Sequence, residues 1–399
     1  MVRSLQSSTR GIATYGMAHL LFLTSTPATV AQGSGTWVGI SVLRDALVAL
    51  GHRVSLISDS RTSAKSILSR IRFNIGIRSR LKRMAADVLV GFDLDGVFAP
   101  RDSFFRVASI KGVLADEAHH EKGRSRLGLA LLGHLEARHA RRSDRIITTS
   151  SYSAERIVKF YGAIASKVSI VPELIDLARW QRALDAAPIV EGPPRILCVA
   201  HLYPRKGVGT LIRAFARLRG RAVLRIAGIG PERQTLEQLA HKLGIEDRVQ
   251  FLGHLPFEEL IAEYRNAAIF ALPSTQEGFG IVFLEAMASS LPVVAARAAA
   301  VPEVVADGVT ALLVDPPDPE ALAESLRSLL DDPARRIEMG SAGRARVGRY
   351  DAPIVGRQFL EAIGIASLET PLQSSDQQRN RQQNDRHAQG RHEIGSRHP

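Results

Sequence analysis

Residues 268–288 read Ala-Ile-Phe-Ala-Leu-Pro-Ser-Thr-Gln-Glu-Gly-Phe-Gly-Ile-Val-Phe-Leu-Glu-Ala-Met-Ala, and this stretch decides the fold of the 399-residue chain. The apolar run 268–272 predicts a buried strand, because a short unbroken apolar run is typical of a strand inside a parallel sheet. Pro273 to Gly278 predict the turn that leaves its carboxyl end. An apolar helix begins near Gly280. Strand, glycine turn and helix in this order predict a βα unit of an α/β fold.

The same stretch places two carboxylates, Glu277 and Glu285, eight positions apart around the helix start. Free N–H groups and the positive end of the helix dipole would point from this helix start into the space beyond the carboxyl end of the strand. A diphosphate fits such a position. Glycines 278 and 280 let a ligand approach the backbone closely. Glu285 could accept hydrogen bonds from ribose hydroxyls, and Glu277 could hold hydroxyls of a sugar. The pattern predicts a phosphosugar site.

The chain resembles glycosyltransferase family 4, in which this pair is the glutamate-x7-glutamate motif. Three more stretches stand in the family's order and spacing: 224–231 (Leu-Arg-Ile-Ala-Gly-Ile-Gly-Pro), 249–256 (Val-Gln-Phe-Leu-Gly-His-Leu-Pro), and Leu-Pro-Val-Val at 291–294 followed by Pro302-Glu303. The resemblance covers nearly the whole chain. It implies the glycosyltransferase B fold, with two Rossmann-like doubly wound domains facing each other across a cleft, and retaining, metal-independent transfer from a nucleotide sugar.

Strand-like and helix-like runs alternate along the chain, which predicts two parallel sheets wrapped by helices. We expect an acceptor-side domain over 1–183, a linker over 184–194 and a nucleotide-sugar domain over 195–345. A C-terminal helix within 346–370 would return to the first domain, as the family's last helix does. Residues 371–399 contain almost no apolar side chains, and we expect a disordered tail.

The loop 200–211 reads Ala-His-Leu-Tyr-Pro-Arg-Lys-Gly-Val-Gly-Thr-Leu and matches the family's loop after the first strand of the second domain. The resemblance implies that Lys206 holds the donor diphosphate and stabilises it as the leaving group. The family usually has an arginine five positions earlier, where this chain has His201. Arg205 could supply the missing charge, or His201 could do so when protonated.

The remaining donor-site residues are implied by the resemblance alone. Gly35, together with Gly33, matches the first-domain glycine loop that faces the diphosphate. The family places the nucleobase between the loop containing Gly230 and the segment at Leu255. Around the glutamate motif, the donor-binding set is completed by Gly278, Phe279, Gly280 and Ile281.

On the acceptor side, the chain departs from the family. Spacing puts Ala115 where the family usually has a histidine near the reacting carbon, with Asp116 next to it and His119 and His120 shortly after. Any of the last three could face the acceptor hydroxyl, because a general base needs only a positioned side chain within hydrogen-bond reach. Residues 172–176, Pro-Glu-Leu-Ile-Asp, replace the family's proline-asparagine-glycine-x-aspartate turn, a change that we expect to affect the interdomain hinge more than the chemistry.

Phe92-Asp-Leu-Asp95 matches the aspartate-x-aspartate pattern that binds manganese in the other major glycosyltransferase fold. Here it follows a strand of a Rossmann-like domain, where Lys206 and a helix terminus meet the phosphate charge, so we expect no metal. We also expect no cofactor, because the nucleotide diphosphosugar is itself the donor substrate. No Cys/His cluster has zinc spacing.

The net charge of +12 is unevenly distributed. Residues 1–183 contain 27 Lys and Arg against 14 Asp and Glu, a net +13, so residues 184–399 carry −1. An anionic partner for the first half is one explanation, and a solvated surface is the other. No nucleic-acid motif interleaves aromatic residues with these charges, so we expect no nucleic-acid partner.

The segment 61–83 contains eight basic residues and no acidic one, interleaved with Ile and Leu. Ile67, Ile71 and Ile75 follow helical spacing, which is typical of an amphipathic helix at a membrane surface. Asn74 and Gly76 predict two shorter helical pieces. We expect this segment to dock on anionic lipid, near a lipid-linked acceptor. The alternative is a solvated basic helix beside the acceptor cleft.

With 45% hydrophobic residues and a mean hydropathy near zero, the chain has the composition of a globular protein. The one cysteine lies in a strand pattern, and residues 17–23 are too short an apolar run to span a bilayer. We expect a cytoplasmic enzyme, peripheral on the inner face of the membrane if the segment docks. It would transfer sugar to a hydroxyl acceptor in polysaccharide, glycolipid or other glycoconjugate synthesis. The alternatives are a catalytically impaired nucleotide-sugar-binding protein, or a sugar epimerase of related fold.

Overall fold

The computed structural model describes residues 16–26, 35–58, 67–100, 103–121, 123–220 and 222–365. The predictions for Gly33, for residues 61–66 and for the tail 371–399 lie outside these ranges. No described helix combines the length and apolar composition that a membrane span requires.

The first domain is a six-stranded parallel sheet with helices on both faces. Its elements are β1 (His19–Thr24), α1 (Gly35–Ala49), β2 (Arg53–Ser58), α2 (Ile67–Leu81), β3 (Val88–Phe92), β4 (Phe105–Ile110), α3 (Leu114–His119), α4 (Gly123–Arg142), β5 (Arg145–Thr148), α5 (Ser151–Tyr161) and β6 (Val168–Ile170). The strand order is β2-β1-β3-β4-β5-β6. The chain therefore reverses its direction of travel across the sheet between β1 and β3.

The second domain repeats this architecture. Its elements are β7 (Arg195–Val199), α7 (Val208–Phe215), β8 (Val223–Ala227), α8 (Arg233–Lys242), β9 (Val249–Gly253), α9 (Phe257–Asn266), β10 (Ile269–Leu272), α10 (Ile281–Ala288), β11 (Val293–Ala296), α11 (Val301–Val304), β12 (Ala311–Val314), α12 (Pro319–Asp331) and α13 (Pro333–Val347). The order β12-β11-β10-β7-β8-β9 places the reversal between β7 and β10. The two sheets confirm the predicted pair of Rossmann-like domains.

The central strands form because they are apolar on both faces. Every residue of β3, β10 and β11 is buried, as expected for parallel strands covered by helices on both sides. Fully burying a large apolar side chain contributes roughly 1.5–3 kcal/mol. The apolar runs in the sequence therefore specify the central strands of the two sheets.

Two helices cross between the domains. The predicted boundary at 183 falls inside a helix, α6 (Leu177–Ala186), and its Trp180 and Leu184 belong to the core of the second domain. The indole N–H of Trp180 donates to the Ser289 hydroxyl at 3.0 Å. The last described helix, α14 (Ala352–Ala362), follows the second domain in sequence but packs on the first. It buries Val355 and Phe359 in the core of the first domain.

The prediction of two short helical pieces in the basic segment was wrong. The helix α2 runs unbroken from Ile67 to Leu81. Asn74 is buried, and its amide N–H₂ donates to the Arg70 carbonyl and to the Asp95 carboxylate at 3.0 and 2.6 Å. These tertiary contacts offset the cost of about 1 kcal/mol that Gly76 imposes inside a helix.

Candidate active site

A cavity of about 310 Å³ lies between the two domains, at the carboxyl ends of both sheets. Ligands of open α/β sheets bind where the strand order reverses, and here the reversal points of both sheets supply lining residues. The lining includes Gly35, Asp93, Lys111, Glu117, Glu173, His201, Arg205, Lys206, Glu277, Gly278, Phe279, Gly280 and Ile281.

The loops after β7 and β10 form the second-domain wall. Gly207 has φ +68°, and a Cβ there would lie 2.2 Å from the Pro273 carbonyl oxygen, so only glycine lets the two loops pack together. The Thr275 N–H donates to the Arg205 carbonyl at 2.8 Å and ties them further. Residues far apart in sequence are thereby brought to one place.

Lys206 and Glu277 form the central ion pair of this wall. The Lys206 ammonium donates to Glu277 Oε1 at 2.6 Å, and the Ser274 hydroxyl donates to the same oxygen at 2.9 Å. Both charged side chains are mostly buried. The two charges therefore neutralise each other at the cavity wall.

Two helix N-termini meet at the cavity. The helix α10 begins after Gly280, which has φ +90°. Across the cleft, a Cβ on Gly35, the first residue of α1, would lie 3.1 Å from the side chain of Ile281. Free N–H groups and positive dipole ends from both domains therefore point at the same volume, which favours an anion there.

The domains also touch directly beside the cavity. The Gly278 carbonyl accepts hydrogen bonds from the hydroxyls of Thr149 and Ser150 at 3.0 and 2.7 Å. The backbone N–H groups of Ser151 and Tyr152, at the start of α5, donate to the Glu303 carboxylate at 2.7 and 2.8 Å. A second-domain carboxylate thus occupies the N-terminus of a first-domain helix, and the two domains are held closed over the site.

Arg205 also bridges the domains. Its guanidinium lies 3.4 Å from Glu117 and 3.1 Å from Glu121, both in the first domain. His201 lines the cavity as well, with Nδ1 lying 3.4 Å from the Ile229 carbonyl. The loop predicted to meet the diphosphate therefore faces the cavity.

Glu285 is buried behind the second-domain wall and does not line the cavity. The Tyr264 hydroxyl donates to its carboxylate at 2.7 Å. Burial raises the pKa of Glu285 to about 7, and the hydrogen bond from Tyr264 opposes this shift. Neither Gly230 nor Leu255 lines the cavity; Gly230 packs tightly on the backbone of Leu202.

The structure does not bring Asp116, His119 or His120 to the cavity lining. The Asp116 carboxylate is buried at the domain interface, where the Tyr152 hydroxyl donates to it at 2.7 Å. His119 and His120 are exposed, and their Nδ1 atoms bond back to the carbonyls four residues earlier at 2.7 and 3.1 Å. Local and interface hydrogen bonds occupy these side chains, and spacing along the sequence could not reveal those partners.

Instead, the first-domain wall includes Asp93, Lys111 and Glu173, to which sequence reasoning gave no role in the cavity. Lys111 Nζ lies 3.0 Å from Glu173 Oε2, so the altered turn at 172–176 contributes to the cavity and not only to the hinge. The available signal was position, because each of the three follows closely after a strand of the sheet. Among the described residues, no group of three or more His, Cys, Asp or Glu side chains is arranged to hold a metal ion.

Comparison with known proteins agrees with this geometry. The family model "Glycosyltransferase Family 4" matches residues 33–179, and "Glycosyl transferases group 1" matches residues 181–346. The chain is 32% identical over 329 residues to a GDP-mannose-dependent alpha-(1-6)-phosphatidylinositol monomannoside mannosyltransferase of Mycobacterium tuberculosis, covering 77% of this chain and 82% of that protein. The Mycolicibacterium smegmatis protein of the same name is 34% identical over 287 residues, with 67% and 74% covered.

Solved structures share the fold. Sucrose-phosphate synthase from Thermosynechococcus elongatus superposes with a TM-score of 0.74 at 21% identity, covering 86% of this chain and 98% of that one. Anabaena HepE in complex with UDP gives a TM-score of 0.66 at 19% identity, with 87% and 99% covered. With both domains matched by family models and with relatives above 30% identity along most of their length, the chain belongs to glycosyltransferase family 4.

Proposed function

We propose that this glycosyltransferase moves a sugar from a nucleotide diphosphosugar to a hydroxyl acceptor, with retention at the anomeric carbon and without a metal ion. The observation that carries the proposal is the convergence of Lys206 with the N-termini of α1 and α10 on one cavity at the reversal point of the second sheet. An ammonium group and two helix dipoles match the charge of a diphosphate.

The Lys206–Glu277 pair gives the donor a defined way to enter. When the diphosphate binds, Lys206 exchanges the Glu277 carboxylate for phosphate oxygens, because the incoming group carries more charge. Glu277 is then released to accept hydrogen bonds from hydroxyls of the donor sugar. The same ammonium stabilises the charge that appears on the phosphate as the bond to the anomeric carbon breaks.

Closure of the domains protects this step. The contacts of Gly278 and Glu303 with the start of α5 hold the two walls together around the cavity. Excluding water strengthens the electrostatic contacts inside and prevents hydrolysis of the activated sugar. Membership of the family supports the proposal of retention.

A donor screen tests the proposal. Two relatives are described as GDP-mannose-dependent, so GDP-mannose is the first donor to test, followed by UDP-glucose, UDP-galactose and UDP-N-acetylglucosamine. A donor at 100 times its dissociation constant should stabilise the protein by roughly 2.7 kcal/mol. Failure of every nucleotide sugar to shift the melting temperature would contradict the proposal.

Product analysis separates the alternatives. A donor that binds without turnover in the presence of acceptors would indicate a nucleotide-sugar-binding protein. Release of an epimerised sugar without any acceptor would indicate an epimerase. Transfer to an acceptor, with the anomeric configuration read by NMR, supports the transferase and tests retention together.

We also propose that the first domain docks on anionic lipid. On the exposed surface of α2, Leu68 and Ile75 are 77% and 61% accessible. The helix α4 adds Leu127 and Leu131 at 73% and 52%, and a Cβ on its Gly128 would meet the side chain of Ile67, so the two helices adjoin. The exposed cations around them are Arg72, Arg78, Arg80, Lys82, Arg83 and Arg126. Exposed apolar side chains ringed by cations are typical of an interfacial surface.

Vesicle cosedimentation tests this docking. Wild type should bind vesicles containing anionic lipid and not neutral ones, and the variant with Arg78, Arg80, Lys82 and Arg83 changed to Ser should lose most of that binding, since each basic residue near the surface contributes about 1 kcal/mol. The matched control changes four exposed second-domain cations, Arg213, Arg217, Arg219 and Lys242, to Ser. Equal loss in both variants, or no binding by wild type at low salt, would contradict docking through α2.

A further inference from the structure

Asp93 is the acidic residue at the reversal point of the first sheet. It is the first residue after β3, and it faces the cavity opposite the donor loops. Its side chain is 14% exposed. The two sheets thus meet at the cavity through their reversal points, with Lys206 and Glu277 on one side and Asp93 on the other.

The backbone at Asp93 is held in an uncommon conformation. Its φ is +55°, a left-handed geometry that a residue other than glycine adopts at a cost of about 1 kcal/mol or more. Its N–H donates to the Ser109 carbonyl at 2.9 Å, and its carbonyl lies 2.7 Å from His139 Nδ1. Since a carbonyl only accepts, His139 carries its proton on Nδ1. Strain of this kind persists where surrounding contacts fix it, and such positions cluster at functional sites.

Asp95, two residues later, has a different environment. It is fully buried, and its oxygens accept hydrogen bonds from the Ser25 hydroxyl and N–H and from the Asn74 amide, at 2.6 to 2.9 Å. Those partners occupy both oxygens of Asp95, and the bond to Asn74 joins α2 to the loop after β3. Of the two carboxylates in the Asp-Leu-Asp pattern, only Asp93 is presented to the cavity.

Within the described part of the chain, Asp93 has few partners for a carboxylate. Its Oδ1 accepts one hydrogen bond, from the Lys111 N–H at 3.2 Å. Its Oδ2 lies 3.7 Å from the Arg70 guanidinium, beyond hydrogen-bond distance. Burial raises the pKa of Asp93 to about 6, and Arg70 opposes the shift. The group is therefore mainly ionised at neutral pH and retains lone pairs for a ligand.

The charges on the described part of the cavity wall decide what that ligand is. Three lining cations each have a carboxylate partner: Lys111 with Glu173, Arg205 with Glu117, and Lys206 with Glu277. A donor diphosphate would engage Arg205 and Lys206, the cations of the second domain. The described first-domain wall then presents Asp93, Glu117 and Glu173, and the cations beside them are Lys111 on the lining and Arg70 next to Asp93, so three negative charges face two positive ones and the net charge is −1. Such a wall accepts hydroxyl donors and repels phosphate.

We propose that Asp93 accepts a hydrogen bond from a hydroxyl of the acceptor, and that the acceptor ring entering the cavity is an uncharged polyol or sugar rather than a phosphorylated one. The inference rests on the proposed transferase function and assigns the acceptor class of the same site. It concerns the ring that reaches the cavity. A charged group elsewhere on a larger acceptor would remain outside.

The first experiment compares acceptors with wild type. With a donor found in the screen, methyl mannoside and myo-inositol are tested against mannose 6-phosphate and inositol 3-phosphate. The neutral member of each pair should have the higher kcat/KM, by about tenfold or more. If no acceptor turns over, calorimetry on enzyme saturated with the nucleoside diphosphate replaces the assay. Preference for the phosphorylated members, or no binding of either neutral compound, would overturn the proposal.

The second experiment uses Asp93→Asn, a nearly isosteric change to a residue that tolerates left-handed geometry. The acceptor KM should rise about tenfold or more, because a hydrogen bond to a charged group is lost. The dissociation constant of the donor, measured by calorimetry, should stay as in wild type, because the donor loops lie on the opposite wall of the cavity. Glu155→Gln, exposed on α5, is the control. An unchanged acceptor KM would refute the role of Asp93. If wild type binds no donor at all, the proposed function is refuted. That failure is distinguishable from an unchanged acceptor KM, which refutes only the role of Asp93.

Discussion

The ammonium of Lys206 lies 2.6 Å from Oε1 of Glu277, although the two residues are 71 positions apart in sequence. The order of the strands creates this contact, because β7 and β10 are neighbours at the centre of the second sheet. The pair joins the predicted diphosphate ligand to the first glutamate of the family motif. Removing one member would leave the other charge mostly buried without its partner, so the functional tests of the two are linked.

Replacing Lys206 with Ala should remove most transferase activity and leave the fold intact. The lost stabilisation of the leaving diphosphate should be on the order of 2–4 kcal/mol, which is tens to hundreds-fold in kcat/KM. Steady-state kinetics and circular dichroism measure the two effects. Lys242→Ala, exposed on α8, should behave as wild type. Near-normal turnover of a folded Lys206→Ala variant would remove this residue from the site.

Substitutions of the two glutamates of the motif should have different effects on kcat and on the donor KM. Glu277→Gln should lower kcat more than it raises the donor KM, because Glu277 would meet the sugar near the reacting carbon. Glu285→Gln should chiefly weaken donor binding, if donor entry brings the buried carboxylate to the ribose. Measurement of kcat and KM for both variants tests the assignment. Equal effects of the two changes on stability, with none on donor binding, would make them structural residues.

The free energy of unfolding should depend on pH because of Glu285. Burial raises its folded-state pKa from an ordinary value of 4.5 to about 7, so the folded protein retains a proton that the unfolded chain has released in this window. Stability is greatest below the window and falls as pH rises through it, by up to about 3 kcal/mol from this group.

Glu285→Gln removes that contribution and keeps an acceptor for the Tyr264 hydroxyl. Without ligand, the variant should gain stability relative to wild type at pH 8 and not at pH 4.5, as urea unfolding at both values would measure. Glu246→Gln, at an exposed position, should leave the pH dependence unchanged. An equal change in stability at both pH values would refute the raised pKa of Glu285.

Activity should survive chelation, because Lys206 and two helix N-termini supply positive charge at the cavity. Turnover measured in EDTA should match turnover with added magnesium or manganese within about twofold, a free-energy difference of roughly 0.4 kcal/mol. Loss of activity in EDTA and its recovery with manganese would establish a metal requirement. In that case, Asp93 would be the first residue to examine as a ligand.

Gly278→Ala should impair closure of the domains. A Cβ at this position would lie 2.6 Å from the Lys111 carbonyl oxygen across the cleft, and relieving such a clash costs typically 1–3 kcal/mol. We expect kcat to fall roughly 5- to 150-fold. Gly209→Ala, where the nearest contact would be 3.6 Å, is the matched control. Full activity of Gly278→Ala would mean that the described closure is not needed for turnover.

Local pattern in the sequence was sufficient for the architecture and for part of the donor side of the cavity, since Glu285, Gly230 and Leu255 do not line it. Unbroken apolar runs predicted strands such as β10, and glycine turns predicted the helix starts. Lys206, Glu277 and Gly280 line the cavity because each lies in a loop that directly follows a strand and must reach the carboxyl edge of the sheet. Such positions are set by a few neighbouring residues, so a sequence pattern can carry them.

Only the tertiary structure decided the acceptor side. The Asp93 carbonyl accepts a hydrogen bond from His139, 46 residues later, and Lys111 pairs with Glu173 across 62 residues. His119 and His120 bond back to carbonyls of their own helix and do not line the cavity. The long-range hydrogen bonds of Asn74 keep α2 whole. These outcomes depend on strand order and on the directions of side chains, which are set when distant segments pack together. The sequence alone therefore determined which residues could reach the cavity edge, and packing determined which of them face the acceptor.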